Sequence, residues 1–319
     1  MEDKTQINSL LTNKKTIISF IVSFLILYLL IKNIDIPELI RVAKNISLPL
    51  YIAAFGLHYL SFVVRGIRWK KLLSSLKIKI SSSSAIEIVF LSWFVNSIVP
   101  AKIGDIYRSY LLKKENDEPI SKTIGTIVVE RILDIILLLF LLTLSGYLLY
   151  SEKIPEEINQ SLKIGYTLII ILVSCIILAA ILKERLMQMI PKRLHKYFEN
   201  LGHGILRPVS DFETITYVLA TSLMIWLLES GRLFFVTKAL GIDIGIYTVV
   251  FIALASTLLT AIPLTPAGLG AVEFSIIFLL TLSGVDSTLG TAVAFLDRLI
   301  SYWSVLLSGM IVYLLSKKT

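Results

Sequence analysis

Residues 164–182 read IGYTLIIILVSCIILAAIL, a run without a single charge. At about 1.5 Å of rise per helical residue, nineteen residues cover about 28 Å, close to the roughly 30 Å hydrocarbon thickness of a bilayer. Thr16–Ile31 carries no charge, and between Ile244 and Val272 the apolar run is interrupted only by Thr, Ser, Pro, Gly and a tyrosine. Over all 319 residues, 55% are hydrophobic and 17% are charged. A soluble domain carries roughly 25% charged residues and alternates polar with apolar faces. The chain reads as an all-α integral membrane protein, a single membrane domain over 1–319.

Six full spans are predicted, near 16–33, 48–67, 121–150, 163–182, 212–240 and 287–316. Lys14 and Lys15 precede the first, as in a signal peptide. The run ends at Ile31-Lys32-Asn33 without a small-residue cleavage site, which predicts an uncleaved span. Cys175 is the one cysteine and excludes an intramolecular disulfide. The net charge of +8 reads as loop charge facing anionic lipid, not as a nucleic-acid surface.

Two further apolar stretches are broken. Ala85–Leu112 is interrupted at Val99-Pro100-Ala101-Lys102-Ile103-Gly104, and Ile246–Gly284 at Pro263-Leu264-Thr265-Pro266-Ala267-Gly268-Leu269-Gly270. Proline removes a backbone donor and glycine loosens a helix, so each stretch predicts two half-helices and a re-entrant hairpin. The bases orient the chain. Arg65, Arg68, Lys70, Lys71, Lys77 and Lys79 follow the second span, Lys183, Arg185, Lys192, Arg193 and Lys196 follow the span at 163–182, and Lys317 and Lys318 end the chain. By the positive-inside rule both termini are cytoplasmic, provided that each hairpin returns to the side it entered from. The sequons Asn45-Ile46-Ser47 and Asn159-Gln160-Ser161 then fall in external loops. Residues 183–211 alternate base with Leu, Met, Ile and Phe, as an interfacial segment on the cytoplasmic side does.

Three patterns recur in order. Arg65-Gly66-Ile67-Arg68 parallels Glu229-Ser230-Gly231-Arg232, Pro100 to Gly104 parallels Pro266 to Gly270, and Glu130-Arg131 parallels Asp297-Arg298, at offsets of 164, 166 and 167 residues. Two repeats follow, about 14–150 and 163–316, each with three spans and one broken hairpin. Three crossings is an odd number, so the second repeat is inverted. Inverted repeats with discontinuous helices mark transporters with a midplane site.

Charges lie inside these spans. Glu130 and Arg131 fall about 14 Å into theirs, and Asp134 is placed to share their face. Asp297 and Arg298 take the equivalent depth, and Glu229 and Arg232 are spaced i,i+3. A charge at a helix centre costs about 2.5–3.5 kcal/mol, so it persists when paired or when it lines a wet cavity. Arg131 and Arg298 are expected to converge on an anionic headgroup, because guanidinium matches phosphate through its planar fork of donors. Glu130 and Asp297 are expected to balance them. Arg68, Lys102, Asp105, Arg108 and Glu273 join the candidate site. At the hairpin tips Asn96, Pro100, Gly104, Pro266, Gly268 and Gly270 are expected to present half-helix N-termini to the ligand. His58, His195 and His203 have no metal-motif spacing, and no nucleophile elbow, P-loop or dinucleotide fingerprint occurs. No catalysis, metal or cofactor is expected.

Arg65-Gly66-Ile67-Arg68-Trp69, Asn96 with Pro100 and Gly104-Asp105, Glu130-Arg131 with Asp134, Pro266 to Gly270 with Glu273, and Asp297-Arg298 together resemble the lysylphosphatidylglycerol synthase transmembrane region family. That family includes the flippase domain of the multiple peptide resistance factor, and membrane regions of archaeal polyprenyl-linked glycosyltransferases. The resemblance implies movement of a charged-headgroup lipid, phospholipid or polyprenyl-phosphate-linked, between leaflets of the cell membrane. Synthase members continue into a soluble aminoacyl-transfer domain, whereas this chain stops at Lys318-Thr319, so synthesis of lysylphosphatidylglycerol is not expected. A small-solute or ion transporter, and an intramembrane enzyme or accessory subunit of polyprenyl-lipid glycosylation, stay open. So do self-association and a separate lipid-modifying enzyme as partner.

Overall fold

In the computed structural model, residues 45–100, 102–150, 156–260 and 265–318 are described, together with six isolated positions between Leu25 and Lys44. The expected span at 16–33, Ala101 and the Pro263-Leu264 part of the second break lie outside the described residues. Every regular element among the described residues is helical: α1 (Leu48–Ser75), α2 (Ser82–Ile98), α3 (Ile103–Asn116), α4 (Ile120–Tyr150), α5 (Glu156–Ile181), α6 (Lys183–Met189), α7 (Lys192–Val209), α8 (Phe212–Ala239), α9 (Ile246–Leu259), a 3₁₀ turn (Pro266–Gly268), α10 (Ala271–Leu282), α11 (Ser287–Arg298), a π turn (Leu299–Ser304) and α12 (Val305–Leu315).

Five helical stretches are long and apolar enough to cross a membrane: Leu48–Ser75, Ile120–Leu149, Leu162–Ala179, Phe212–Ala239 and Ser287–Leu315. They correspond to the five expected spans that fall on described residues. Leu168, Ile170, Ile171, Leu172, Ile177 and Leu178 lie exposed along α5, a contiguous apolar surface that lipid covers and water does not. This is an all-α, multi-span membrane protein.

α1 runs two turns beyond the expected end at 67. Arg65 and Arg68 are buried and belong to the helix bundle, so they do not mark the membrane edge as loop charges do. Lys70, Lys71, Lys77 and Lys79 keep that role. α5 also starts early, so Asn159 sits in its first turn, not in a loop. Its amide reaches Glu156 Oε2 at 3.5 Å, and a carboxylate there favours helix initiation. Asp286 caps α11 by accepting from the Thr288 and Leu289 N–H groups at 2.8 and 3.4 Å. Those donors hold its carboxyl below the ordinary range.

Element order repeats. α1, α2, α3 and α4 have the same sequence of long, short, short and long helices as α8, α9, α10 and the α11–α12 stretch. α1 and α8 run antiparallel: the Ser47 N–H donates to the Ala239 carbonyl at 2.8 Å at one end, and Lys71 meets Glu213 at 2.6 Å at the other. Between these ends Ala54 packs with Leu233 and Val236, and Val64 with Ile225 and Leu228. The short helices are exchanged between halves. α2 packs on α12, where Gly309 lets Phe94 approach so closely that a Cβ would sit 2.6 Å from it. α9 packs on α4, with Phe251 against Gly146. The 183–211 segment forms α6 and α7, and α7 crosses α4 at Gly204 and Gly125, where a Cβ on Gly125 would lie 2.7 Å from the Gly204 backbone.

Candidate functional site

Adjacent residues on a helix point about 100° apart. Glu130 and Arg131 therefore look to different neighbours. Glu130 and Asp134, one turn apart, both meet Arg68 of α1: Arg68 Nη2 donates to Glu130 at 2.8 Å, and its two terminal nitrogens donate to Asp134 at 2.5 and 3.0 Å. Ser222 of α8 closes the set, accepting from Arg68 at 2.6 Å and donating to Asp134 at 2.9 Å. Arg108 adds a contact of 3.2 Å to Glu130. Arg131 turns instead to Asp105 of α3, at 2.8 and 3.1 Å. The expected balance of Arg131 by Glu130 is thus corrected, and Asp134 shares the face of Glu130, not of Arg131.

The second half repeats this wiring. Asp297 accepts from Arg232 at 2.8 and 3.2 Å, and Arg232 also pairs with Glu229 one turn before it. Arg298 turns to Glu273 at 2.9 Å and to the Ala267 carbonyl at 3.2 Å. Asp297 therefore balances Arg232, not Arg298. Each arginine of α1 and α8 also has a partner from the opposite half: Arg68 has Ser222, and Arg232 has His58 at 3.2 Å. At the crossing itself Arg65 meets Glu229 at 3.2 Å. Arg131 and Arg298 are each engaged by a carboxylate just past the break of their own half.

The breaks come together. Asn96, Val99, Pro100 and Lys102 face Thr260, Thr265 and Ala267 across a gap of about 10 Å³, no more than one water occupies. Lys102 and Ala267 take left-handed backbone, with φ of 56° and 46°, a conformation that costs a residue with a Cβ roughly 1–2 kcal/mol. Gly268 and Gly270 adopt φ of 70° and 89° at no such cost. The half-helix N-termini are partly occupied from within. Asn96 Oδ1 accepts from the Gly104 N–H at 2.8 Å, as its place beside broken backbone predicts, and Glu273 Oε2 accepts from the Gly270 N–H at 2.7 Å. Those two donors are not open to a ligand, which corrects the expectation for the tips at Gly104 and Gly270. Pro266 starts the 3₁₀ turn and is buried. The π turn directly after Arg298 carries Tyr302, whose hydroxyl donates to the Ser97 carbonyl at 3.1 Å and whose ring lies 5.0 Å from the Arg298 guanidinium.

These pairs make the charges tolerable. Arg68 is fully buried and the Arg131 side chain is 29% exposed, the most open of the paired arginines. An arginine–carboxylate fork supplies two parallel charge-assisted bonds, which offset the desolvation of both ions. Arg65, His58, Ser61 and Ser222 are members that sequence reasoning did not place in the site. The signal for them was present: Arg65 and Glu229 head equivalent motifs, and His58 and Ser222 stand at the same offset of 164 residues.

A chain with these features has known relatives. The model of the lysylphosphatidylglycerol synthase TM region matches residues 16–309. The UPF0104 membrane protein MJ1078 of Methanocaldococcus jannaschii is 39% identical over 220 residues, 69% of this chain and 93% of that protein. MJ1595 of the same organism, another UPF0104 membrane protein, is 26% identical over 95% of this chain and 96% of its own length. Glycosyltransferase AglD of Haloferax volcanii is 25% identical over 94% of this chain, which spans 54% of AglD. With the match running almost end to end, and the motifs that carry the resemblance standing in the buried ion-pair network, this chain belongs to the lysylphosphatidylglycerol synthase transmembrane region family.

Proposed function

We propose that the protein moves a lipid with an anionic headgroup between the leaflets of the cell membrane. One observation carries this reading: two helix breaks meet tip to tip inside the bundle, each flanked by an arginine held by its own carboxylate, Arg131 by Asp105 and Arg298 by Glu273. The two halves are read as inverted repeats, since the equivalent helices α1 and α8 run antiparallel. The α2–α3 and α9–α10 pairs are read as re-entrant hairpins, entering from the cytoplasm and from outside respectively, with both termini cytoplasmic.

Asp105 and Glu273 are stand-ins for substrate in this reading. A phosphate takes the guanidinium fork from the carboxylate, and the released carboxylate is free to accept a proton or to repel the hairpin from its span. Such an exchange keeps the charge of the site nearly constant, so it avoids exposing a bare arginine to hydrocarbon. Arg68, Arg232, Glu130, Asp134, Glu229 and Asp297 hold the frame around which the hairpins move. The match to AglD favours one refinement, in which the cargo is a polyprenyl-phosphate-linked lipid serving a separate glycosyltransferase.

Reconstitution tests the reading. Arg131→Ala or Arg298→Ala should reduce translocation of a fluorescent anionic lipid in proteoliposomes to the rate of protein-free vesicles, with both variants still monodisperse. Wild-type rates in both variants overturn the assigned roles. Flux of small solutes without lipid movement favours a solute transporter instead, and a covalently altered lipid favours an enzyme.

A further inference from the structure

The two halves agree in wiring but not in charge. The offset of 168 residues that takes Asp105 to Glu273 takes Lys102 to Gly270 and Arg108 to Ile276. The first half places Arg65, Arg68, Lys102, Arg108 and Arg131 beside Asp105, Glu130 and Asp134. The second places Arg232 and Arg298 beside Glu229, Asp297 and Glu273. Once Arg65 is matched with Glu229 across the crossing, the second half is neutral and the first keeps one positive charge without a counterpart.

That charge can be located. Glu130 is already held by Arg68 at 2.8 Å when Arg108 reaches it at 3.2 Å. Arg108 is 2% exposed, and its Nε and Nη2 atoms have no hydrogen-bond partner. These two nitrogens form one edge of the guanidinium fork, the edge that takes two oxygens of a phosphate side by side. The plane itself is supported by Trp69, whose ring centre lies 4.9 Å from Arg108 Cζ. Lys102, at the start of the same helix, lines the gap between the breaks. Ile276, in the equivalent place of the second half, is part of an apolar cluster with Val272 and Leu280.

We infer that the first half alone provides the initial anion site, and that its ligand is a singly charged phosphodiester seated on the Nε–Nη2 edge of Arg108, with Lys102 adding positive field. This deepens the lipid-transport reading and rests on it. One negative charge neutralises the network, whereas a second would leave it negative inside the membrane. A lipid headgroup and a free phosphate share this chemistry, and the lipid is the source assigned, since the site lies among membrane-spanning helices.

Trp69 makes the site observable. Purified protein in detergent is titrated with dihexanoyl phosphatidylglycerol, dihexanoyl phosphatidylcholine or inorganic phosphate while tryptophan fluorescence is followed, with Trp69→Phe to identify the signal. Phosphatidylglycerol should give a saturable change and the other two should not. Arg108→Gln should weaken binding about tenfold or more, the loss of a two-oxygen contact, and Arg108→Lys less. Arg298→Gln, which should stop translocation, should hold the affinity within about threefold. Equal losses from Arg108→Gln and Arg298→Gln overturn the asymmetry, as does an unchanged Arg108→Gln. Inorganic phosphate binding as tightly as the lipid overturns the lipid source. Should Arg108→Gln not fold, Lys102→Gln serves in its place, and unchanged affinity there overturns the proposal. A wild type that transports anionic lipid without binding at Arg108 sinks this site and leaves transport standing. One that binds there without transporting sinks the transport reading and leaves the site.

Discussion

Arg65 and Glu229 hold equivalent positions in the two halves and pair with each other, at 3.2 Å, where α1 crosses α8. The same residue position thus carries opposite charges in the two repeats. Identical side chains at this crossing would place two like charges together in a buried site, whereas opposite ones attract. Divergence of the repeats at this one position turned a repulsive contact into a joint.

Glu229 serves more partners than Arg65 does, since it also accepts from Ser61 at 3.0 Å and pairs with Arg232. Removing one member of a buried ion pair costs about 3–5 kcal/mol, because the other is left uncompensated. Glu229→Gln should therefore lower the thermal midpoint in detergent more than Arg65→Met. The Arg65→Met/Glu229→Gln double variant should be less destabilised than the sum of the singles, as differential scanning fluorimetry would show.

Asp105 holds the most exposed of the paired arginines. Asp105→Asn removes the competing carboxylate from Arg131, so anionic lipid should bind more tightly, by about tenfold for a loss of 1.4 kcal/mol of competition. Turnover in proteoliposomes should fall, because release of the headgroup no longer has a carboxylate to drive it. Competition titrations against flip rate separate the two effects.

Gly104 sits where the first hairpin closes on itself. A Cβ there would overlap the Ser92 carbonyl oxygen and lie 2.8 Å from the Asn96 side chain. Gly104→Ala should cost about 1–3 kcal/mol as overpacking and open the α2–α3 pair. Cysteine cross-linking between those two helices should lose efficiency relative to the native glycine.

Gly125 and Gly204 allow α7 to touch the backbone of α4. Gly204→Val should detach α7 from the span that carries Glu130 and Arg131. Hydrogen exchange over Lys192–Val209 should rise while α1 and α8 keep their protection. Uniform exchange gains across the bundle would mean that the contact stabilises the whole fold instead.

Membrane residence, the five described spans and the two breaks were legible from the chain alone, because a bilayer demands about 20 apolar residues per crossing and punishes irregular backbone. The equivalence of Glu130-Arg131 with Asp297-Arg298 was legible too, as a repeated pattern at a fixed offset. Sequence by itself determined which charges enter the membrane. Only the tertiary structure decided whom they meet. Glu130 and Arg131 are neighbours in the chain, yet the helical turn sends one to Arg68 on α1 and the other to Asp105 on α3. Ser222 and His58 carry no signal of their own, and they enter the site because antiparallel packing of α1 on α8 brings each to the other half's arginine. Ion pairing is a property of side-chain direction and helix crossing, and neither can be read from spacing along one strand of text.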